Sequence, residues 1–192
     1  MAQTETTGPT EGAEAAAAKP KRRPARCKAV EAHARSYFEA IARRDASAMA
    51  EHWAEDGVHD LVPLRPLRGR GEITAFFSEL FAAMPDLETT VTRVVAGEHE
   101  AAVEWRMTGH FTGAPFQGIE ATGRRIDMRG IDILEIEEGR IAAITAVYDG
   151  MAFARQMGLL PSQDSSAEQA MKSAFNAGTR VRRAVADWRS SR

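Results

Sequence analysis

The 192-residue chain carries 25 Lys and Arg against 27 Asp and Glu, a formal charge of −2 that gives no reason to expect a nucleic-acid partner. Its one cysteine, Cys27, excludes an internal disulfide framework and a cysteine-built zinc site. No apolar run is long enough to span a membrane and no signal-peptide core follows Met1, so a single domain located in the cytoplasm is expected.

Residues 1–28 are rich in Ala, Thr, Glu, Gly and Pro and end in a basic cluster of Lys19, Lys21, Arg22, Arg23, Arg26 and Lys28. Without apolar periodicity they read as a disordered basic tail. From Ala29 the pattern turns helical, with Val30, Tyr37, Phe38 and Ile41 on one face. Arg43-Arg44-Asp45 breaks it. A second short helix carries Ala48, Met49, His52 and Trp53, with Asp45 or Ser47 as its cap, and ends at Glu55-Asp56-Gly57. A first strand spans Val58 to Val62. A third helix runs from Glu72 to about Met84 with Ile73, Phe76, Phe77, Leu80 and Phe81 on its apolar face.

Four strands and two helices follow. Leu87 to Val95 and Ala101 to Phe111 alternate as strands, and in the second Val103, Trp105 and Met107 share the apolar face. A Gly- and Pro-bearing loop, Thr112 to Gly123, leads to a strand from Arg125 to Ile136. Glu138-Gly139 turns the chain tightly into Arg140 to Tyr148. Met151 to Leu160 is a short helix stopped by Gly158 and Pro161. The final segment, 162–192, is a polar linker and an amphipathic helix with Met171, Phe175, Val181, Val185 and Trp188 on one side, broken at Asn176-Ala177-Gly178. Helices segregated before a run of strands predict an α+β fold. One residue stands out: Asp132 lies among Ile131, Ile133, Leu134 and Ile136, and a carboxylate there either faces water or is buried for a purpose.

Several local signals, taken together, resemble the SnoaL-like polyketide cyclase and ester cyclase family of the nuclear transport factor 2-like superfamily. They are Trp53 to Asp60, Phe116-Gln117-Gly118-Ile119 with Thr122-Gly123-Arg124, Gly130-Ile131-Asp132, Glu138-Gly139-Arg140-Ile141, Asp149 and Gln156-Met157-Gly158. The resemblance covers roughly Val30 to Pro161, a domain bounded at 29–161. It implies a cone of three helices packed on a curved antiparallel sheet around a hydrophobic pocket, with 162–192 as an extension. It also implies a homodimer, a small hydrophobic carbonyl compound of polyketide or steroid kind as ligand, and no metal or cofactor. Neither nucleic acid nor membrane is expected as a partner.

The chemistry implied is proton abstraction next to a carbonyl, leading to cyclisation or isomerisation, which needs a base and donors for an enolate in an apolar site. Asp132 matches a pocket position that relatives fill with histidine or aspartate; buried, its pKa should rise. Tyr37 matches the oxyanion-donating tyrosine of ketosteroid isomerases, or packs in the core. His59 is the preferred base from the first strand, or a wall residue. Trp53, Phe77, Phe81, Trp105, Met107 and Phe116 are expected around the ligand. Asp149 either reaches the pocket mouth or caps the helix that follows. Ala146 and Leu61 stand where relatives carry carboxylates, which leaves open a member that binds without turnover. An epoxide hydrolase-like reading needs Arg106 in the pocket and is weakened by Thr108 and Ala146.

Overall fold

The computed structural model describes residues 24–62 and 64–190; Lys19, Lys21, Arg22 and Arg23 of the basic cluster lie outside them. The first helix, α1 (Ala25–Ala42), starts directly after Pro24, four residues earlier than the periodicity indicated. Residues 25–28 are therefore helix rather than tail, and Cys27 is buried. Helix α2 (Ala46–Ala50) is capped by Asp45, whose Oδ1 accepts the Ala48 N–H at 2.9 Å. The first strand, β1 (Trp53–Val62), takes in residues that looked helical, because Trp53 is needed in the core as the strand enters the sheet. Strand β2 (Leu67–Arg68) and helix α3 (Gly69–Ala83) follow.

Strands β3 (Glu88–Ala96), β4 (Glu100–His110), β5 (Arg125–Glu137) and β6 (Arg140–Tyr148) form a meander close to the expected boundaries. The β5–β6 turn has Glu138 and Gly139 both at positive φ, 48° and 75°, which matches the twist of a two-residue hairpin. The sheet order is β2-β1-β6-β5-β4-β3. The sheet is mixed rather than wholly antiparallel: β1 joins the free edge of β6 in the parallel sense. No hairpin links that pair, since four strands and α3 intervene in the chain.

On β5, residues from Arg125 to Glu137 alternate between exposed or half-exposed and buried, so every even-numbered residue from Ile126 to Ile136 points inward. Helix α1 covers β3 and β4, and α3 covers β1 and β2. The core between helices and sheet includes Tyr37, Phe38, Trp53, Ile73, Val103, Leu134 and Ile144. Two indoles lie flat over glycines. A Cβ on Gly57 would stand 2.7 Å from Trp53 Cε3, and one on Gly130 would stand 2.3 Å from Trp105 Cζ2.

Helix α4 (Gly150–Met157) docks where β6 has ended. The Gln156 amide accepts the Asp127 N–H at 2.7 Å and donates to the Asp127 carbonyl at 3.0 Å, standing in for the missing strand. The last helix, α5 (Ser166–Ser190), is continuous through Asn176-Ala177-Gly178, contrary to the expected break. Among the described residues no helix is long and apolar enough to cross a membrane.

Candidate functional site

A cavity opens between α3 and the inner face of the sheet. Ile41, Phe76, Phe77 and Leu80 form its helical side, and Leu61, Trp105, Met107, Met128 and Ala146 its sheet side. Leu64, Phe116, Tyr148 and Phe153 stand at its rim or roof. Phe116 is placed by the loop after β4. Gly113 and Ala114 donate to the carbonyls of Ala83 and Ala82, and Gln117 bonds Glu79 through both its backbone and its side chain. Among the described residues no lysine or arginine lines the cavity. Its polar side chains are His59, Asp132 and Tyr148.

Asp132 is 5% exposed, and its Oδ1 accepts the Trp105 Nε1–H at 2.7 Å. Gly130 is what makes this possible. It faces Trp105 directly across β4 and β5, and its missing side chain lets the indole lie over the sheet and reach two residues along to Asp132. The cross-sheet row through Asp132 runs Leu61, Ala146, Asp132, Val103, so the carboxyl has only apolar neighbours within its row. Burial pushes its pKa up to about 7, while the weaker effect of the Trp105 hydrogen bond pulls it down.

His59 is 1% exposed, and neither ring nitrogen has a hydrogen-bond partner among the described residues. Its ring stacks on Phe77 at 5.7 Å between centroids and leans on Trp53 at 5.5 Å. Burial lowers its pKa to about 3, so the imidazole is neutral and offers one N–H donor and one acceptor. At neutral pH it is therefore a weaker base than an exposed imidazole. Tyr37 is fully buried, and its hydroxyl, close to Trp53, makes no well-formed hydrogen bond among the described residues. Burial raises its pKa well above 10, the Asp132 charge adds to that, and Trp53 offsets part. Tyr37 and Trp53 form an edge-to-face pair behind His59 rather than walls of the cavity.

Of the residues expected around a ligand, Phe77, Trp105, Met107 and Phe116 line the cavity. Trp53 and Phe81 do not; both belong to the core behind it. Asp149 caps α4 through Ala152 N–H at 2.9 Å and is not part of the lining. Arg106 faces away from the cavity and pairs with Asp127 through two bonds of 2.7 and 2.6 Å. An arginine held there cannot act in an epoxide hydrolase-type triad. Tyr148 was missed. It lies on the inward parity of β6 with Ile144 and Ala146, which the alternation of that strand already contained. His52 sits edge-on to His33 at 4.9 Å, and no group of three or more His, Cys, Asp or Glu among the described residues could hold a metal ion.

The raised Asp132 pKa has a sign that stability can test. The folded state holds its proton more tightly than the unfolded state, where the group titrates near 4. The stability that this adds is complete below about pH 4, is lost as pH rises to about 7, and stays lost above. Three pH units correspond to on the order of 4 kcal/mol. Asp132→Asn, which keeps an acceptor for Trp105, should therefore be more stable than the parent at pH 8 and nearly equal at pH 4. Urea denaturation at the two pH values measures it; an equal difference at both would mean that Asp132 titrates normally.

The fold and this cavity define a nuclear transport factor 2-like protein with a buried acid in an apolar cone. The family model for SnoaL-like polyketide cyclases matches residues 31–157, and the chain belongs to that family. Among solved structures, one assigned as a SnoaL-like polyketide cyclase from Jannaschia sp. CCS1 superposes with a TM-score of 0.66 at 19% identity, over 73% of this chain and 99% of that one. TsrD from Streptomyces laurentii gives 0.61 at 24% identity, over 69% and 97%. A structure assigned as a ketosteroid isomerase from Kribbella flavida DSM 17836 gives 0.51 at 25% identity, over 64% and 78%. No curated protein matches the sequence.

Proposed function

We propose that the protein binds an uncharged hydrophobic carbonyl compound, polyketide- or steroid-like, and removes a proton next to the carbonyl, leading to cyclisation or isomerisation. The observation that carries this reading is Asp132: a carboxyl at the wall of an apolar cavity, tuned to about 7 by burial and fixed by one hydrogen bond. At neutral pH about half of such groups are ionised, so the residue can take a carbon-bound proton and return it. His59, neutral and unpartnered, donates to the carbonyl oxygen as charge develops there. The absence of cations from the lining favours neutral ligands over carboxylates or phosphates. Tyr37 acts from behind, packing against Trp53 and keeping the surroundings of Asp132 dry.

A second reading, a member that binds the same ligands without turnover, is favoured by Leu61 and Ala146. Ala146 lies beside Asp132 in its row and Leu61 one strand further on, and among the described residues no other carboxyl lines the cavity. Carbon-13 NMR titration of the Asp132 carboxyl, free and with a phenol as enolate mimic, separates the two. The catalytic reading expects a midpoint near 7 that moves when the phenol binds. A midpoint near 4 that ignores the phenol would leave only the binding reading.

A further inference from the structure

Helix α5 is tied down at its first turn, where Glu168 accepts from Arg155 at 2.9 Å, Lys172 at 3.0 Å and the Asp164 N–H at 2.8 Å. Beyond Glu168 none of its described side chains is buried. At 25 residues it is about 37 Å long. With about 100° of turn per residue, Met171, Phe175, Val181, Val185 and Trp188 fall within one arc of about 140°. The opposite side holds Gln169, Asn176, Arg180 and Arg183. Phe175, Val181 and Trp188 are 67%, 63% and 56% exposed. A lone helix of this kind gains little from its own hydrogen bonds and needs its apolar side covered.

The charges on α5 select what covers it. Lys172, Arg180, Arg182, Arg183 and Arg189 stand against Glu168 and Asp187, and Glu168 is already engaged by Arg155 and Lys172. Arg182 and Arg189 belong to the apolar side: they line one shallow hollow along the helix together with Val181 and Val185. A protein face laid on that side would bury two guanidinium groups, which is costly unless acids stand opposite them. A second α5 brings more arginines there instead, because Asp187 lies on the far side of the helix. An anionic lipid surface removes the conflict. Apolar side chains enter the boundary of the acyl layer, and the long arginine side chains extend from it to the phosphates. The apolar surface also continues beyond α5. Met151, Leu160 and Met171 line one hollow between α4 and α5, and Met151 and Leu159 are 57% and 56% exposed.

We propose that α5 lies in the surface of an anionic lipid membrane, apolar side inward, with Arg182 and Arg189 on lipid phosphates and Arg180 and Arg183 toward water. The association is peripheral, and it stands apart from the reading of Asp132. It runs against the composition of the whole chain, whose near-neutral charge conceals the excess of cations on this one helix.

The full chain is sedimented with vesicles of phosphatidylcholine, with and without added phosphatidylglycerol. Binding to the anionic vesicles should be at least tenfold stronger and should weaken as salt rises. Trp188 is exposed while Trp53 and Trp105 are buried, so lipids with brominated acyl chains should quench part of the fluorescence on binding. Phe175→Glu with Val181→Glu should lose binding at least tenfold while the domain melts as before. Arg182→Ser with Arg189→Ser should lose about thirtyfold, at roughly fivefold per arginine near the surface; Arg180→Ser with Arg183→Ser, on the far side, should lose less than fivefold. Equal binding to the two kinds of vesicle overturns the proposal. So does binding that survives Phe175→Glu with Val181→Glu, which would place it on the basic cluster before Pro24 instead. Equal losses from the two arginine pairs would mean that α5 has no preferred side toward lipid. A solution dimer that Phe175→Glu with Val181→Glu dissolves would mean that a second copy covers α5, and either result would equally overturn it.

Discussion

Asp132→Asn is expected to lower protein-dependent exchange of deuterium into the carbon next to a carbonyl by about 10²–10⁴-fold, the usual worth of a positioned general base. The assay needs no knowledge of the final product: hydrophobic cyclic ketones and diketones are incubated in heavy water and read by mass spectrometry. Asparagine has nearly the volume of aspartate and keeps an oxygen for the Trp105 Nε1–H, so ligand affinity should survive. In the parent the exchange rate should climb with pH and level off above about 7, because the ionised carboxylate is the active form. In the variant that rise should be gone. Exchange that is equal in parent and variant would move the base elsewhere, and His59 would be a poor substitute with its pKa near 3. Asn at this position should also raise stability at pH 8. The parent would then hold a destabilising charge in its interior that only its chemistry requires.

Gly130→Ala should be among the most damaging single changes in the domain, costing about 3 kcal/mol or more. The added Cβ would meet three ring atoms of Trp105 at 2.3–2.7 Å. The indole is buried and tied to Asp132, so it can move only by giving up that bond. Overpacking of about 1–3 kcal/mol and loss of a buried hydrogen bond of about 1–3 kcal/mol then add. Gly71→Ala is the control. Nothing lies within 4 Å of its Cβ position, it sits in α3, and it should stabilise by about 0.5–1 kcal/mol. Combining Gly130→Ala with Trp105→Leu should recover part of the loss, since the smaller side chain leaves room for the methyl group. If Gly130→Ala alone melts like the parent, the indole does not lie where the geometry places it.

The sequence made the sheet legible because its period is two and its turns are explicit. Alternation on β4 and β5 placed Trp105, Met107 and Asp132 on one face, and Glu138-Gly139 marked the hairpin. Parity gives a side chain's face but not its depth. It could not show that Trp53 and Phe81 end in the core while Phe77 reaches the cavity, nor that Asp149 turns to the α4 backbone. The helical reading of His52 and Trp53 failed because a tertiary need, seating an indole over Gly57, outweighed local spacing. The Trp105–Asp132 bond spans two strands and depends on an absent side chain at Gly130, which no pattern of apolar residues encodes. The parallel join of β1 to β6 also lies beyond local signals, since it closes over a long stretch of chain.

Strands β4 and β5 pair over eleven consecutive residues without a bulge, from Glu100 opposite Glu135 to His110 opposite Arg125. A strand so regular can lose its acid through a change of length as well as through a change of letter. One residue inserted in β5 just after Arg129 would exchange the two faces downstream: Asp132 would turn to water and Ile131 and Ile133 would turn in. Two inserted residues would restore the faces but carry Asp132 one step along, away from the indole that holds it. The loop from Thr112 to Gly123 is under no such parity. Length variation in descendants of this sequence should therefore gather there, at the roof of the cavity, where it alters the shape offered to a ligand while the acid stays in place.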